Sequence, residues 1–469
     1  MSSDASESGG QRTLPLGPTL YASAVAIAVL YAGSLPMHSN DFHIFAAMGR
    51  WMVEHGQLLE REVFTWTADG VAFVHGTWGF SLGSYLLHEA IGLDGLRLLN
   101  GVVVGSTVAL AGLAARGRGT DWRGAGIAAL YAWWGVLQNG VVRGQTWVYP
   151  LFCLLMWQGP RARRPLLFGT LLGAVWAPLH GSFPAGIAWA GLTGQLRLAA
   201  GLAIGVCLGP YGPGLWSFVL SNTSKPAARG FTEWLPPTLG EVEGARFWLV
   251  VAVWAVVLLW RRKLRLQDAL VMGAFGLLAM RSTRFVAWFM LATAPVAAVT
   301  AQDLWGREQG LNARLVKLAN AVLAALWSMM LFRGLQAPDT PLHKETPVAL
   351  VAALGADASR GRVLQPPEWG GLVVFELGED FEIVSDIRGW IFDDDAWAVW
   401  FETASAVEGW EDTLDDAGVS HVLLTEACPL EDALDAHPSW ERLAEDETGA
   451  LWRRVGSLAA PGASDSDPP

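Results

Sequence analysis

Charged residues are scarce in this chain: they make up 16% of its 469 residues, whereas soluble domains carry about 25%. Cysteine is scarcer still, with three residues at positions 153, 207 and 428. No two of them have metal-ligand spacing, which argues against a zinc ribbon, and so small a number argues against a disulfide framework. The histidines show neither H-x-x-x-H nor H-E-x-x-H spacing. No feature of the sequence indicates nucleic-acid binding.

Hydrophobic residues make up 52% of the chain, and charge is distributed unevenly along it. From Leu335 to the last residue there are 28 acidic and 7 basic residues, whereas the preceding part has 16 acidic and 25 basic residues. A basic, apolar part followed by an acidic, polar part predicts a membrane domain joined to a water-facing domain. We assign residues 14–334 to the membrane domain and 335–455 to the acidic domain, and predict disorder at 1–13 and 456–469.

The membrane domain is predicted to be an α-helical, polytopic bundle of about eleven spans. Its first apolar run is too long for a signal-peptide core and lacks an A-x-A-like cleavage site, which predicts an uncleaved span. Several other runs are shorter than the ~20 residues of a straight crossing, a length tolerated where broken helices line a cavity. The predicted spans are 14–36, 97–115, 124–140, 146–158, 165–179, 183–196, 198–219, 247–260, 267–280, 285–301 and 315–334.

Segment 76–93 decides the parity of this topology, because it can either span the membrane or lie in the interface as an amphipathic helix. We predict the interfacial arrangement, within an outer first loop of residues 37–96. The N-terminus is then inside and the acidic domain outside. This choice places every arginine-bearing loop on one side, which the positive-inside rule assigns to the cytoplasm: 116–123, 161–164, 261–265 and 307–317.

The acidic domain alternates strand-like and helix-like segments, which predicts a small α/β domain. It contains no glycine-rich phosphate loop and no catalytic triad. The predicted strands are Arg362–Gln365, Phe381–Ile387, Val419–Thr425 and Leu451–Val455. The predicted helices are Ala396–Ala404, Trp410–Ala417 and Leu430–Ala436.

Asp41 lies where the first span leaves the bilayer, at the start of a stretch with helical apolar periodicity that ends at Gly56. This pattern predicts an interfacial amphipathic helix. The carboxylate of Asp41 is a candidate general base or ligand of a divalent cation. It is equally well suited to cap the helix, and the two roles are compatible.

Other ionisable residues at predicted helix ends also collect on the outer side. Such groups are costly at membrane depth and are functional by default. Histidines in this set are candidate metal ligands, although a structural histidine or an interfacial anchor is the more common role. Besides Asp41, the residues of this set are His43, Arg50, His55, His75, Arg143, His180, Glu233, Arg281 and Arg284. Those predicted to bind the substrate are His43, Arg50, His75, Arg143, His180, Glu233 and Arg284.

Arg143 and Arg284 are candidates to hold a phosphate group, because the planar guanidinium matches phosphate oxygens. Snorkelling towards lipid headgroups is the alternative, and it suits Arg281 well. Glu233 precedes Trp234 and a Pro-Pro pair. It is a candidate to bind an acceptor hydroxyl or a cation, unless the segment is only a rigid turn with an interfacial tryptophan.

The order of these segments resembles the GT-C membrane glycosyltransferases. That superfamily includes oligosaccharyltransferases, protein O-mannosyltransferases and lipid A aminoarabinose transferases, and the closest resemblance is to a bacterial group of GT-C-like proteins. It covers most of the chain beyond the first dozen residues. The residues that carry it are Asp41-Phe42-His43, Gly49-Arg50-Trp51, His55-Gly56, Phe64-Thr65-Trp66-Thr67, His180-Gly181-Ser182-Phe183, Pro210-Tyr211-Gly212, Glu233-Trp234-Leu235-Pro236-Pro237, Glu368-Trp369-Gly370-Gly371 and Asp386-Ile387-Arg388.

The resemblance implies a glycosyltransferase in the bacterial inner membrane. It would move a hexosyl or pentosyl group from a polyprenyl-phosphate donor to an envelope glycan, lipid or protein acceptor on the outer face. Asp41 would orient or deprotonate the acceptor hydroxyl, and Arg143 or Arg284 would stabilise the departing phosphate. Besides a divalent cation, no cofactor is implied.

Two departures from the group's pattern keep a second hypothesis open. The group usually has His-Glu-Trp where this chain has His75-Gly76-Thr77-Trp78, and Arg-Pro where it has Arg143-Gly144. The alternative is a non-catalytic GT-C-like scaffold, or a subunit of an envelope polysaccharide assembly complex with protein partners. A transporter is disfavoured because no paired internal repeat with matching broken helices is present.

Replacement of Asp41 by Asn separates the two roles of this carboxylate. If Asp41 is the general base, Asp41→Asn abolishes sugar transfer from a polyprenyl-phosphate donor while the amount of protein in the membrane is unchanged. Transfer at the wild-type rate would mean that Asp41 only caps its helix. The measurement is sugar transfer in isolated membranes, normalised to protein level by immunoblotting.

Overall fold

The structure is a computed structural model that describes residues 16–37, 39–137, 140–221, 232–261, 264–306, 313–335, 341–358 and 360–455. The ends that the sequence predicts to be disordered, 1–13 and 456–469, lie outside these residues.

The first two thirds of the chain are helical, as the long apolar runs predict. Short 3-10 turns at Gly159–Arg161, Thr232–Trp234 and Thr283–Phe285 interrupt the series. The helices are α1 (Leu16–Ser34), α2 (Ser39–His55), α3 (Trp78–Gly117), α4 (Trp122–Val136), α5 (Gly144–Gln158), α6 (Pro165–Trp176), α7 (Phe183–Leu192), α8 (Leu196–Val206), α9 (Gly214–Ser221), α10 (Val242–Arg261), α11 (Leu266–Arg281), α12 (Val286–Trp305) and α13 (Ala313–Leu335).

Four helical segments in the described residues are long and apolar enough to cross a membrane, by length and composition: Leu16–Ser34, Trp78–Gly117, Val242–Trp260 and Thr283–Trp305. Between them lie shorter apolar helices such as α6, α7 and α8. The α-helical, multi-pass architecture that the sequence predicts is therefore confirmed, whereas the count of eleven spans remains a prediction.

Small residues bring the short helices α6 and α8 into close contact. Gly169 and Gly173 lie four residues apart on α6, and Gly201 and Gly205 do the same on α8. A Cβ atom added at Gly173 or Gly201 would collide with backbone atoms of the facing helix. Paired small residues with this spacing are typical of helix packing in membranes, where backbones pack directly against each other.

The predicted span 198–219 is wrong as a single helix. It is divided between α8 and α9, which are separated by residues 207–213. Pro210 has no N–H to continue the hydrogen-bond ladder, and Gly212 has a positive φ of 50° that a helix does not accommodate.

Segment 76–93 and the predicted span 97–115 belong to one bent helix, α3. The bend is at Gly92, whose φ of 66° and ψ of −178° are not helical. The arm before the bend buries Phe80 in a hydrophobic core that includes residues of the acidic C-terminal part. The arm after the bend buries residues such as Val104 and Val108 among the apolar helices.

The C-terminal part is a small α/β unit, as predicted. It contains α14 (Val348–Asp357), α15 (Pro367–Leu377), α16 (Asp394–Ala404), α17 (Trp410–Asp416) and α18 (Pro429–Ala436). Its strands are β1 (Gly361–Leu364), β2 (Phe381–Ile383), β3 (Val419–Thr425), β4 (Trp440–Asp446) and β5 (Gly449–Arg454).

These strands form one mixed sheet in the order β2-β1-β3-β5-β4. The first three strands are parallel, and β5 pairs antiparallel with both β3 and β4. The sequence-based assignment placed four of the five strands but missed β4, and it also missed the helices α14 and α15.

Helix α2 of the first loop lies between α3 and α15 and shares one hydrophobic core with them. The core contains Phe42, Phe45 and Phe80 from the first loop and Trp369 and Leu372 from the C-terminal part. The first loop and the C-terminal part are therefore one packed body.

Glycines at both helix crossings make this contact close. A Cβ at Gly371 of α15 would lie 2.7 Å from the backbone N of Ile44, and a Cβ at Gly49 would collide with the carbonyl of Ser81. The motifs Gly49-Arg50-Trp51 and Glu368-Trp369-Gly370-Gly371 thus include the two contact glycines.

The first loop also extends the sheet at its β2 edge. Thr65 forms a parallel bridge with Ile383. The N–H of Ile383 donates to the Phe64 carbonyl at 2.9 Å, and the N–H of Trp66 donates to the Ile383 carbonyl at 3.1 Å. A sheet edge that would otherwise expose unpaired backbone groups is covered by the chain itself.

Arg388 forms a fully buried ion cluster at the same junction. Its guanidinium lies 2.6 Å from a carboxylate oxygen of Asp386 and 2.9 Å from one of Glu62, and all three side chains are 0% exposed. Phe64 and Phe73 lie within cation–π distance. Burial lowers the pKa of Arg388, but the two carboxylates outweigh it and raise that pKa above its ordinary value. The arginine is therefore charged and joins Glu62 of the first loop to Asp386 of the C-terminal part.

Replacement of Arg388 by Met leaves two carboxylates buried without their cation. Breaking a buried pair in this way costs about 3–5 kcal/mol, so the thermal-unfolding midpoint in detergent is expected to fall by several degrees. Arg362→Met is the matched control, because Arg362 pairs with Glu382 at a surface where both side chains are more than a third exposed. An equal effect of the two substitutions would contradict the structural role of the buried cluster.

Candidate functional site

Four of the candidate residues come together in one cluster: Arg143, His180, Glu233 and Arg284. The Glu233 carboxylate bridges the two arginines, with Oε2 3.1 Å from Nη1 of Arg143 and Oε1 paired with Nη1 of Arg284. Nη2 of Arg284 lies 3.4 Å from Nε2 of His180. We call these four residues the arginine cluster.

Arg143 is in extended backbone immediately before α5. The next residue, Gly144, has no side chain, and a Cβ there would lie 2.8 Å from the carbonyl of Leu179. The absence of that atom lets the start of α5 approach the turn that carries His180. The Arg143-Gly144 departure from the Arg-Pro pattern is thus accompanied by close backbone packing at the cluster.

Glu233 and Arg284 lie on two short 3-10 turns, Thr232–Trp234 and Thr283–Phe285, that are bound to each other. The hydroxyl of Ser282 donates to the Glu233 carbonyl at 2.9 Å, and the N–H of Thr283 donates to the Leu235 carbonyl at 3.0 Å. These backbone contacts hold the two turns together independently of the carboxylate.

Two further residues support the arginine cluster, and the sequence did not assign either of them to a site. The amide of Gln145 donates to Tyr149 Oη at 2.7 Å and contacts the Arg284 carbonyl at 3.3 Å. Trp234 packs its ring against Arg284, whose Cζ is 4.9 Å from the ring centroid. The sequence feature that could have pointed to them is their proximity to predicted site residues: Gln145 lies two residues after Arg143, and Trp234 directly follows Glu233.

The arginine cluster carries an excess of positive charge. Burial raises the pKa of Glu233, but Arg284 and Arg143 outweigh it and lower that pKa to about 2. Burial, with the positive charge of Arg284 and Arg143, lowers the pKa of His180 to about 3. At neutral pH two cations therefore face one carboxylate and a neutral imidazole. The positive end of the α5 dipole adds to the excess, so the site favours an anion.

The other predicted site residues lie at the junction of the first loop and the C-terminal part. Arg50 donates to the carbonyls of Phe375 and Val374, at 2.8 and 2.9 Å, in the last turn of α15. This contact satisfies helix-end carbonyls and places positive charge at the negative end of the helix dipole. His43 is buried near the ring of Phe375, with centroids 5.5 Å apart. Arg50 and His43 thus both contact α15.

The segment that begins at His75 and leads into α3 connects this junction to the turn of His180. Its Nε2 lies 2.9 Å from the hydroxyl of Ser81, and its backbone N–H contacts Tyr211 Oη at 3.3 Å. Shortly after it, the N–H groups of Gly79 and Phe80 donate to the Pro178 carbonyl, two residues before His180. The start of α3 thereby positions the His180 turn.

Asp41 lies in the first turn of α2, four residues before Phe45. Its side chain is outside the described residues, so its role as base, cation ligand or cap remains a prediction. Phe45 contacts Phe80, with ring centroids 5.4 Å apart, and Phe80 contacts Trp147 of α5 at 5.6 Å. Helices α2 and α5 are therefore connected by a chain of aromatic residues, with Phe80 between Phe45 and Trp147.

Among the described residues, a group of side chains with the spacing of metal ligands lies at the surface. Ligand atoms of Glu54, His55 and Glu379 all lie within 4.8 Å of one another, and all three residues are exposed. Of the candidate metal-binding histidines, only His55 belongs to this group. Its Nδ1 lies 2.9 Å from the Trp51 carbonyl, and its ring stacks on that tryptophan.

No protein-family model and no curated protein sequence matches the chain. Solved structures do. The Archaeoglobus fulgidus oligosaccharyltransferase in its apo form matches with a TM-score of 0.58 and 13% identity, over 86% of this chain and 69% of that one. ArnT from Cupriavidus metallidurans bound to undecaprenyl phosphate matches with a TM-score of 0.56 and 14% identity, over 95% and 99%.

A second structure of the archaeal enzyme, AglB in complex with an inhibitory peptide and a dolichol-phosphate, matches with a TM-score of 0.56 and 12% identity, over 86% and 69% of the two chains. At these identities the similarity concerns the fold. The chain has the GT-C fold, as the resemblance of its sequence implied.

The buried His75 predicts a specific dependence of stability on pH. Burial and the charge of Arg388 lower its pKa to about 3. Below pH 6.5 the unfolded chain therefore gains a proton that the folded chain does not, and stability falls as the pH falls from 6.5 towards 3. At pH 5 this contribution is about 2 kcal/mol. We expect His75→Gln to reduce the drop in thermal-unfolding midpoint between pH 7 and pH 5.

His437→Gln is the control for this measurement, because that side chain is 27% exposed and lies in the C-terminal part away from the junction. An unchanged pH dependence in the His75 variant would show that His75 is protonated in the folded protein.

Proposed function

We propose that the chain is a membrane glycosyltransferase that uses a polyprenyl-phosphate sugar as donor and acts at the outer face of the membrane. The observation that carries the proposal is the arginine cluster: two guanidiniums converge at the start of α5, in a fold that this chain shares with glycosyltransferases.

The donor chemistry fits an arginine pair. The acceptor hydroxyl attacks the anomeric carbon, the bond from that carbon to the phosphate oxygen breaks, and the phosphate leaves with an additional negative charge. Arg143 and Arg284 stabilise this charge with donors already in position, which is the usual way in which enzymes lower such barriers. A single displacement of this kind inverts the anomeric carbon.

The proton of the acceptor hydroxyl needs a base. Asp41, in the first turn of α2, is our assignment, and its carboxylate would take that proton as the new glycosidic bond forms. A divalent cation bound by the same carboxylate is compatible with this role. His43, Arg50 and His75 support the junction that holds α2 and α3 in place.

Lipid carriers found with the structural neighbours support the choice of donor. The ArnT structure contains undecaprenyl phosphate, and an AglB structure contains a dolichol-phosphate with an inhibitory peptide. For this chain we propose a bacterial inner-membrane protein with residues 14–334 in the membrane and 335–455 outside the cytoplasm. The acceptor is then an envelope glycan, lipid or protein.

The alternative, a non-catalytic scaffold, makes predictions that differ from those of the enzyme. Gly76 packs against Phe218, and a Cβ there would lie 2.8 Å from the ring, so the segment where the related group has Glu has no room for a side chain at Gly76 unless Phe218 moves. A scaffold of an envelope polysaccharide assembly complex would retain protein partners and show no turnover with any polyprenyl-phosphate sugar.

Arg284 is the residue to test first. We expect Arg284→Ala to weaken binding of undecaprenyl phosphate to the purified chain in detergent by at least about tenfold, because a charge-assisted hydrogen bond is lost. Sugar transfer from undecaprenyl-phosphate hexose or pentose should fall at least as much.

Arg281→Ala is the matched control, since Arg281 is an exposed arginine three residues earlier, at the end of α11. Equal effects of the two substitutions on binding would indicate non-specific attraction of the lipid and would contradict the proposed phosphate site.

A further inference from the structure

The Glu233 carboxylate occupies the position between the two arginines that an anionic ligand would need. One of its oxygens contacts Arg143 and the other contacts Arg284. A phosphate offers the same arrangement of two anionic oxygens on one central atom. The three side chains are 21% to 31% exposed, so the position is shielded but open to exchange.

The backbone segments that carry the two arginines are held by contacts that do not involve the carboxylate. Arg143 occupies the N-cap position of α5, whose start packs on Leu179. The guanidinium of Arg284 packs on Trp234, and the Arg284 carbonyl accepts from Gln145. Withdrawal of the carboxylate therefore leaves both segments in place.

His180 lies beside the same point. Its Nε2 is 3.4 Å from Nη2 of Arg284, and because a guanidinium only donates, the imidazole nitrogen is the acceptor in this contact. The contact gives Arg284 a partner other than the Glu233 carboxylate.

The backbone around Glu233 is held by contacts in which the carboxylate takes no part. The Glu233 carbonyl accepts from the hydroxyl of Ser282, and the Leu235 carbonyl accepts from the N–H of Thr283. The described hydrogen bonds of the carboxylate itself are with the two arginines, so its withdrawal breaks none of the backbone contacts of the turn.

We infer that Glu233 is an internal competitor for the donor phosphate: its carboxylate closes the arginine pair in the unloaded enzyme, leaves when the phosphate binds and returns when the phosphate departs. The inference rests on the proposed function, since it assigns the arginine pair to the donor. Without the exchange, the phosphate and the carboxylate would repel each other within one small site. With it, the arginines are never left unpaired, and the returning carboxylate assists release of the spent lipid phosphate.

Neutralisation of the carboxylate tests the exchange. Glu233→Gln keeps the size of the side chain and removes its charge, so undecaprenyl phosphate should bind at least about tenfold more tightly and dissociate more slowly. Glu241→Gln is the matched control: it removes one negative charge from an exposed residue of the same connecting segment, and binding should not change.

The outcomes separate the exchange from the donor site itself. If Glu233→Gln does not tighten binding while Arg284→Ala abolishes it, the exchange is wrong and the donor site stands. If the wild type and both variants bind undecaprenyl phosphate equally weakly, the donor site is wrong as well. If the Glu233 variant binds the lipid more tightly than the wild type and the Arg284 variant binds it more weakly, both the exchange and the donor site are supported.

A second measurement uses the wild-type chain and does not depend on the folding of a variant. Carbodiimide labelling with an amine, read out by mass spectrometry, reports the accessibility of carboxylates. We expect labelling of Glu233 to rise several-fold on addition of undecaprenyl phosphate, and labelling of Glu241 to stay constant. Protection of Glu233 by the lipid would overturn the exchange.

Discussion

The buried ion cluster of Arg388, Asp386 and Glu62 is the interaction on which the arrangement of the first loop and the C-terminal part depends. A guanidinium without solvent contact is tolerated only where it has its partners, so the two segments that carry Arg388 and Glu62 have one relative position. That position fixes the first loop against the sheet edge at Ile383 and α2 against α15. Through the start of α3 it reaches Pro178 and the turn of His180.

The arginine cluster is likewise held in place by contacts of the backbone. Gly144 lets α5 approach the His180 turn, and the two 3-10 turns with Glu233 and Arg284 are bound to each other by backbone contacts. Neither set of contacts consists of long, flexible side chains alone. A site built on backbone contacts and buried ions keeps its donors in place without a ligand, which suits a reaction whose cost lies in stabilising a leaving anion.

Apolar runs, charge asymmetry and alternating patterns were sufficient to predict the class of fold, the helical multi-pass part and four of the five strands. The missed helix α15 contains Trp369-Gly370-Gly371, where two adjacent glycines argue against a helix unless close packing requires them. The sequence grouped Arg143, His180, Glu233 and Arg284 on one side of the membrane, but their contacts depend on turns that periodicity does not describe. Substrate binding by Arg50 and His43 stays a prediction. Their described contacts are with α15, and a pattern of polar residues does not distinguish a residue that binds a ligand from one that binds a partner helix.

The position of α2 between α3 and α15 has a consequence for how the protein is made. Arg50 and the carbonyl that it caps at Phe375 are 325 residues apart in the chain. The first loop therefore leaves the ribosome long before α15 exists, and its apolar face has to wait for the last quarter of the chain before it is covered. Until then the body formed by the first loop and the C-terminal part is incomplete. Maturation would thus end with the arrival of the C-terminal part, which makes that part a checkpoint for assembly of the site as well as a covering domain.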